Sequence, residues 1–136
     1  MARFADEQEV YDHLGGLFLE LLEDEELAAR FRRAGIVFQY RIKDPMAQIT
    51  LDLREGGGGV EMGATSLEPD TTMTLTADTL HDFYLGRVNP SVAIAKRQIV
   101  ASGAVTKALR LARLIKPIIP RYRARLERAG RTDLLA

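Results

Sequence analysis

Between Ile36 and Thr76 the apolar residues return at every second position, in four runs separated by turn-forming residues. A period of two belongs to strands and to nothing helical, so the middle of the chain must pair into a sheet. The cleanest run alternates Ala47, Ile49, Leu51 and Leu53 with Gln48, Thr50, Asp52 and Arg54. Before it, Ile36, Phe38, Tyr40 and Ile42 oppose Val37, Gln39 and Arg41; after the glycines 56 to 59 come Val60, Met62 and Ala64; then Met73 and Leu75 sit among threonines. Such alternation predicts a sheet with one buried and one wet face. The cover for the buried face must come from the flanking sequence.

Those flanks have the helical period. Asp6 with Glu9 resembles a capping box, and Val10, Leu14, Leu17, Phe18, Leu21 and Leu22 follow at helical spacing. Gly15 and Gly16 lie inside this pattern, at roughly 1 kcal/mol each relative to alanine, which predicts a close neighbour there. Asp24 is placed to cap a second helix carrying Leu27, Ala28 and Phe31, with Gly35 beyond its end. Asp78 is read as the cap of a helix with Leu80, Phe83 and Tyr84, ended by Gly86, and Asn89-Pro90 as the start of another. A fifth strand is expected over 98–102. After Gly103, Val105, Ala108, Leu109, Ala112 and Ile115 recur at helical spacing until Pro117 and Pro120, which are expected to interrupt the helix; a last helix from about Arg121 carries Tyr122 and Leu126. Consecutive strands followed by helices fit an α+β layout, and 136 residues suit a single domain, 1–136.

Net charge is zero, yet residues 1 to 30 hold nine acids against two bases and residues 87 to 136 hold twelve bases against two acids. The ends either pair with each other or present the basic end to an anionic surface. Nucleic acid is disfavoured as a partner, because the whole chain is neutral and no binding motif accompanies Tyr122 and its arginines. With no cysteine, disulfides and cysteine metal sites are excluded. The acidic start lacks the form of a secretory signal and no apolar run reaches eighteen residues, so a cytoplasmic location is the expectation.

Candidate chemistry is sparse. The four-glycine run precedes a strand rather than a helix, which suits a hairpin turn and not a phosphate loop. His13 and His81 belong to no multi-ligand spacing and are expected to be exposed helix residues. Ser66, Ser91 and Ser102 lie in no nucleophile elbow, and the carboxylates of Asp24, Glu25 and Glu26 complement a helix start. No catalytic residue, metal ligand or cofactor is therefore expected, and none of these features specifies an oligomeric state. What stands out is an apolar surplus late in the chain, including Leu80, Phe83, Ile94, Leu109, Leu111 and Ile115, beyond what one sheet face requires.

From about Thr71 to Leu114 a threonine-rich strand leads into a helix at Asp78, then Gly86, Asn89-Pro90, a helix with small Ala93, a strand ending at Gly103 and a helix with Leu109 and Leu111. In that order the stretch resembles the lipid-binding domain of the sterol carrier protein 2 family. Two positions depart from the pattern: Lys96 and Arg97 stand where the family commonly has a glycine, and Ala104 where it has an acid. The resemblance implies a five-stranded, mainly antiparallel sheet covered by helices, with an apolar tunnel between them that takes a sterol, a fatty acyl chain or a similar hydrophobic molecule without reaction or metal. The expected ligand-binding residues are Phe38, Ile49, Leu51, Leu80, Phe83, Ile94, Leu109 and Ile115. Lys107, Arg110, Arg113 and Lys116, at three-residue spacing, are the expected contacts for transient docking on an anionic membrane. The alternative is an accessory protein presenting a quinone- or polyketide-like intermediate to partner enzymes.

Overall fold

A computed structural model describes residues 3–136. Its strands are β1 (Val37–Lys43), β2 (Ala47–Asp52), β3 (Gly59–Met62), β4 (Thr71–Thr76) and β5 (Val100–Gly103). They lie in the order β3-β2-β1-β4-β5. Neighbours pair antiparallel except β1 with β4, which run parallel. The glycine run is the turn between β2 and β3, as its position before a strand implied.

The parallel pair requires a crossover, and residues 64–70 supply it. They leave β3 where the Gly63 N–H donates to the Gln48 carbonyl at 2.7 Å, and arrive where the Asp70 N–H donates to the Val37 carbonyl at 2.8 Å. Those two points lie at opposite ends of the β1–β2 pair. With helices on one face, the segment crosses the other. The expectation of a wet outer face is corrected only in part: Arg41 and Lys43 are exposed, while Val37, Gln39, Thr50 and Asp52 are buried. Their polar groups find partners, Gln39 Nε2 donating to Thr50 Oγ1 at 3.0 Å and the Arg54 guanidinium donating to both Asp52 oxygens at 2.8 Å. Those hydrogen bonds from Arg54, opposed by burial, hold the Asp52 carboxyl down at about 2. Gly103, at the end of β5, has φ +82°, and a Cβ there would stand 2.0 Å from the Asp70 carbonyl oxygen, so the crossover's return closes against a residue that must lack a side chain.

The inner face is roofed by α1 (Glu7–Val10), a π-helical segment (Tyr11–Gly15) and α2 (Gly16–Glu23) in one continuous rod, then α3 (Glu25–Arg32). Asp6 caps the rod, accepting from the Glu9 N–H at 3.0 Å. The two glycines mark close approaches: a Cβ on Gly15 would fall 2.6 Å from the Met62 side chain, and one on Gly16 2.0 Å from the Arg125 guanidinium. Asp24 caps α3 through the Leu27 N–H at 3.1 Å.

The second half adds α4 (Ala77–Tyr84), α5 (Pro90–Ala95), α6 (Val105–Leu111), a 3-10 turn (Ala112–Leu114), α7 (Ile115–Arg128) and a closing 3-10 turn (Thr132–Leu135). Asn89 caps α5 as expected, accepting from Ser91 and Val92 N–H. Three boundaries differ from the sequence reading. The cap of α4 is Thr76, whose Oγ1 accepts from the Thr79 N–H at 3.1 Å, so strand passes straight into helix and Asp78 falls in the first turn. The fifth strand runs 100–103 rather than 98–102. The prolines do not interrupt the helix either. Both lie inside α7, and the break falls on Ala112–Leu114 instead. Pro117 occupies the first turn, where no amide donor is needed, and Pro120 forgoes one helical hydrogen bond on an exposed position.

Candidate functional site

The sheet and the later helices enclose an apolar cleft. Phe38, Tyr40, Leu51, Met73 and Leu75 form its floor, and Leu80, Phe83 and Tyr84 of α4 one side. Ala108, Leu109 and Leu111 of α6, with Ala112 and Ile115 beyond it, form the opposite wall. The non-atom space along the cleft, open mouth included, is about 590 Å³, while the free lumen is about 30 Å³. That lumen has room for one or two waters.

The walls are unequal. Floor and α4 residues are buried, but in α6 only Ala108 is, and Leu109, Leu111, Ala112 and Ile115 are half-exposed. The apolar surplus read from the sequence is therefore located, and its loosest part is α6.

Six of the eight residues expected on the wall are there: Phe38, Leu51, Leu80, Phe83, Leu109 and Ile115. Ile49 is not. It pairs with Tyr40 and Met62 and is fully buried beneath the N-terminal rod. Ile94 is also off the wall, half-buried on α5 against the core. Sequence reasoning missed Phe31, Tyr40, Met73, Leu75, Tyr84 and Ile118, among others. Strand parity marked Tyr40, Met73 and Leu75 as inward; what was missing was the parallel pairing that sets Tyr40 beside Met73.

One polar feature lies in this wall. The Tyr40 and Tyr84 hydroxyls meet at 2.8 Å. Burial pushes the Tyr40 hydroxyl up to about 12 and that of Tyr84 well above its ordinary value, so both stay neutral. Two hydroxyls sharing one hydrogen bond leave one O–H proton free to donate.

The expectation of exposed histidines fails for His81, which is fully buried. Its Nε2–H donates to the Leu134 carbonyl at 2.7 Å, and this leaves Nδ1 to accept from the Tyr122 hydroxyl at 2.6 Å. Burial lowers its pKa, so the ring is held neutral as a lock joining α4, α7 and the C-terminal turn. His13 is half-buried beside Arg131, 3.3 Å away.

The charge separation resolves into two parts. Arg121 pairs with Asp24, Arg128 with Glu20 at 3.1 Å and Arg131 with Glu9 at 2.6 Å, while Arg125 adds Glu20 at 3.7 Å and the Asp12 carbonyl at 3.0 Å. By contrast Lys107, Arg110, Arg113 and Lys116 are exposed, and none forms an ion pair among the described residues. Among those residues no group of three or more acids and histidines is placed to hold a metal ion, and no helix is long and apolar enough to cross a membrane.

A mixed sheet, roofed on one face by helices and holding a narrow apolar cleft between the layers, defines the class: an α+β domain with an apolar cleft between sheet and helices. Residues 17–116 match the model of the SCP-2 sterol transfer family, and the chain belongs to that family. The solution structure of sterol carrier protein domain 2 of Helicoverpa armigera is similar over 88% of this chain and 95% of its own, with a TM-score of 0.67 and 18% identity. A structure described as UbiJ-SCP2 ubiquinone synthesis protein is similar over 80% and 90%, with a TM-score of 0.60 and 16% identity. Peroxisomal multifunctional enzyme A of Dictyostelium discoideum is 32% identical over 66 residues, which span 48% of this chain and 15% of that protein.

Proposed function

We propose that this chain binds and transfers a hydrophobic, lipid-like molecule in the cleft between the sheet, α4 and α6. The observation that carries this reading is a continuous apolar wall whose outer side, α6, is only half-packed. Each buried methylene contributes roughly 0.8 kcal/mol, so an acyl chain of about fourteen would gain about 11 kcal/mol gross before ordering costs. Such a chain far exceeds a lumen of about 30 Å³. Loading therefore moves α6 outward, which is affordable because Ala108 is its one buried residue. The function is carriage, with no reaction assigned to the site.

Delivery follows from the surface. Lys107, Arg110, Arg113 and Lys116 are exposed along the same wall, and near an anionic bilayer each contributes about 1 kcal/mol. Transfer to anionic vesicles is expected to be salt-sensitive and to fall sharply in the Lys107→Glu, Arg110→Glu, Arg113→Glu variant. Equal rates at low and high salt would remove docking from the proposal.

A second reading is favoured by the Tyr40–Tyr84 pair, whose free proton suits a ligand carrying a carbonyl or other acceptor. A quinone-like intermediate handed to partner enzymes has such a group, and one similar structure is described as a ubiquinone synthesis protein.

Native mass spectrometry of protein purified without detergent, followed by solvent extraction, separates the readings: a copurified acyl lipid or sterol favours the first, a quinone-like compound the second. Phe83→Asp is expected to abolish binding of the extracted compound, since an unpaired carboxylate in an apolar wall is heavily penalised, while His13→Ala keeps it. No bound compound, together with no uptake of fluorescent fatty acids or sterols, defeats the carrier reading.

A further inference from the structure

We infer that the cleft's mouth binds the phosphate head of a single-tailed amphiphile, gripped by Arg33, Lys107 and Arg110; this rests on the reading that the cleft takes an apolar chain. A recess with about 340 Å³ of free space lies between the end of α3 and the outer side of α6. Arg30, Arg33, Lys107 and Arg110 surround it, and Leu111 and Leu114 contribute an apolar floor. No acid lines it. Arg30 is engaged by Glu26 at 3.0 Å. Arg33, Lys107 and Arg110 have no ion-pair partner among the described residues.

Gathering like charges around a concave surface is repulsive, and low-dielectric walls intensify it. Elsewhere several arginines are engaged: Arg121 and Arg128 of α7 pair with acids, and neighbouring Arg32 donates to the Arg54 carbonyl at 2.8 Å. Arg33 instead shares a recess with two cations from a distant part of the chain, an arrangement that an anion would relieve.

Two further observations select the anion. A carboxylate carries one charge against three cations, whereas a phosphate monoester carries about −1.5 to −2 near neutrality and offers three acceptor oxygens that suit guanidinium forks. Leu111 lines both the recess and the apolar cleft, so a head seated among the cations delivers its first methylenes directly onto the cleft wall. The ligand class is a phosphate- or diphosphate-headed lipid with one chain.

Calorimetric titration with dodecyl phosphate below its micelle concentration, dodecanol and inorganic phosphate tests this. Dodecyl phosphate is expected to bind at least about tenfold tighter than dodecanol, and inorganic phosphate far more weakly than either, because charge-assisted contacts and chain burial must act together. Arg33→Glu, an exposed position, is expected to weaken dodecyl phosphate about tenfold or more and leave dodecanol unchanged. Arg123→Glu, exposed on α7 and outside both the recess and the cleft, is expected to leave both affinities unchanged.

Equal affinity for the two dodecyl probes, or an unaffected Arg33→Glu variant, overturns the head site and leaves the apolar cleft standing. Inorganic phosphate binding as tightly as dodecyl phosphate makes the recess a free-phosphate site and overturns the amphiphile. Failure of both dodecyl probes overturns the cleft reading itself, and this inference with it.

Discussion

In α7, Arg125 and Arg128 reach Glu20 on the N-terminal rod and Arg121 reaches Asp24 just beyond its end, whereas on α6 Lys107 and Arg110 form no ion pair among the described residues. Packing follows the same division. Ile118, Tyr122 and Leu126 of α7 are buried to within 1% exposure, while α6 buries Ala108 alone. Two adjoining basic helices thus have opposite roles, one a strap closing the core and the other a loosely held wall over a cleft. Basic composition says little about a helix's task until its partners are known.

The sharpest way to break that comparison is to remove volume on each side. Leu14→Ala, in the closed half under the rod, is expected to cost about 3 kcal/mol, and Leu111→Ala, on the half-exposed wall, under about 1 kcal/mol. Urea denaturation of the two variants measures both; equal losses would mean that α6 is packed as firmly as the strap.

A second measurement uses the buried lock of the closed half. Free imidazole titrates near 6.5, and burial lowers the pKa of His81 in the folded protein, as it does for half-buried His13. Below 6.5 the unfolded chain therefore binds protons that the folded chain refuses, so stability is full above that pH and is lost as pH falls through the folded values. For His81 the loss between pH 6.5 and 5 is at most about 2 kcal/mol. Chemical denaturation at pH 7.5 and 5 should show it, with a smaller difference in His81→Asn. A variant as pH-sensitive as the parent would place the titration elsewhere.

Charge reversal tests the electrostatic half of the contrast. Arg125→Glu with Arg128→Glu faces Glu20 with like charge and is expected to lower stability by about 1 kcal/mol, these being partly exposed pairs. Lys107→Glu with Arg110→Glu is expected to stay within about 0.5 kcal/mol of the parent. Thermal melts in low salt compare them; a destabilised α6 variant would reveal a structural use for those cations.

The gentlest change is Arg97→Gly. Arg97 follows α5 with φ 60°, in the left-handed region, and with Lys96 it is one of the two residues that stand where the family resemblance leads one to expect a glycine. Relieving the side-chain clash is expected to stabilise by about 1 kcal/mol, detectable as a raised melting temperature. No gain would mean that the Arg97 side chain makes compensating contacts.

Local periodicity and capping chemistry were enough to determine the number of strands, the inward parity of Phe38, Leu51 and Leu75, the caps at Asp6, Asp24 and Asn89, and the close approach at Gly15 and Gly16, because each depends on residues a few positions apart. Six of the cleft's wall residues were expected from the late apolar surplus together with the family resemblance. Other features depended on partners far along the chain. The connection through residues 64–70 let β1 and β4 pair in parallel, and Gln39 and Thr50 are buried on a face the alternation marked as wet. Only Tyr122 and the Leu134 carbonyl made His81 a buried lock, since its neighbours in sequence carry the signature of a surface helix. Which arginines would be clamped and which left free was likewise decided by the docking of α7 against the rod, because an ion pair is set by distance in space, and the chain's charges are silent about distance.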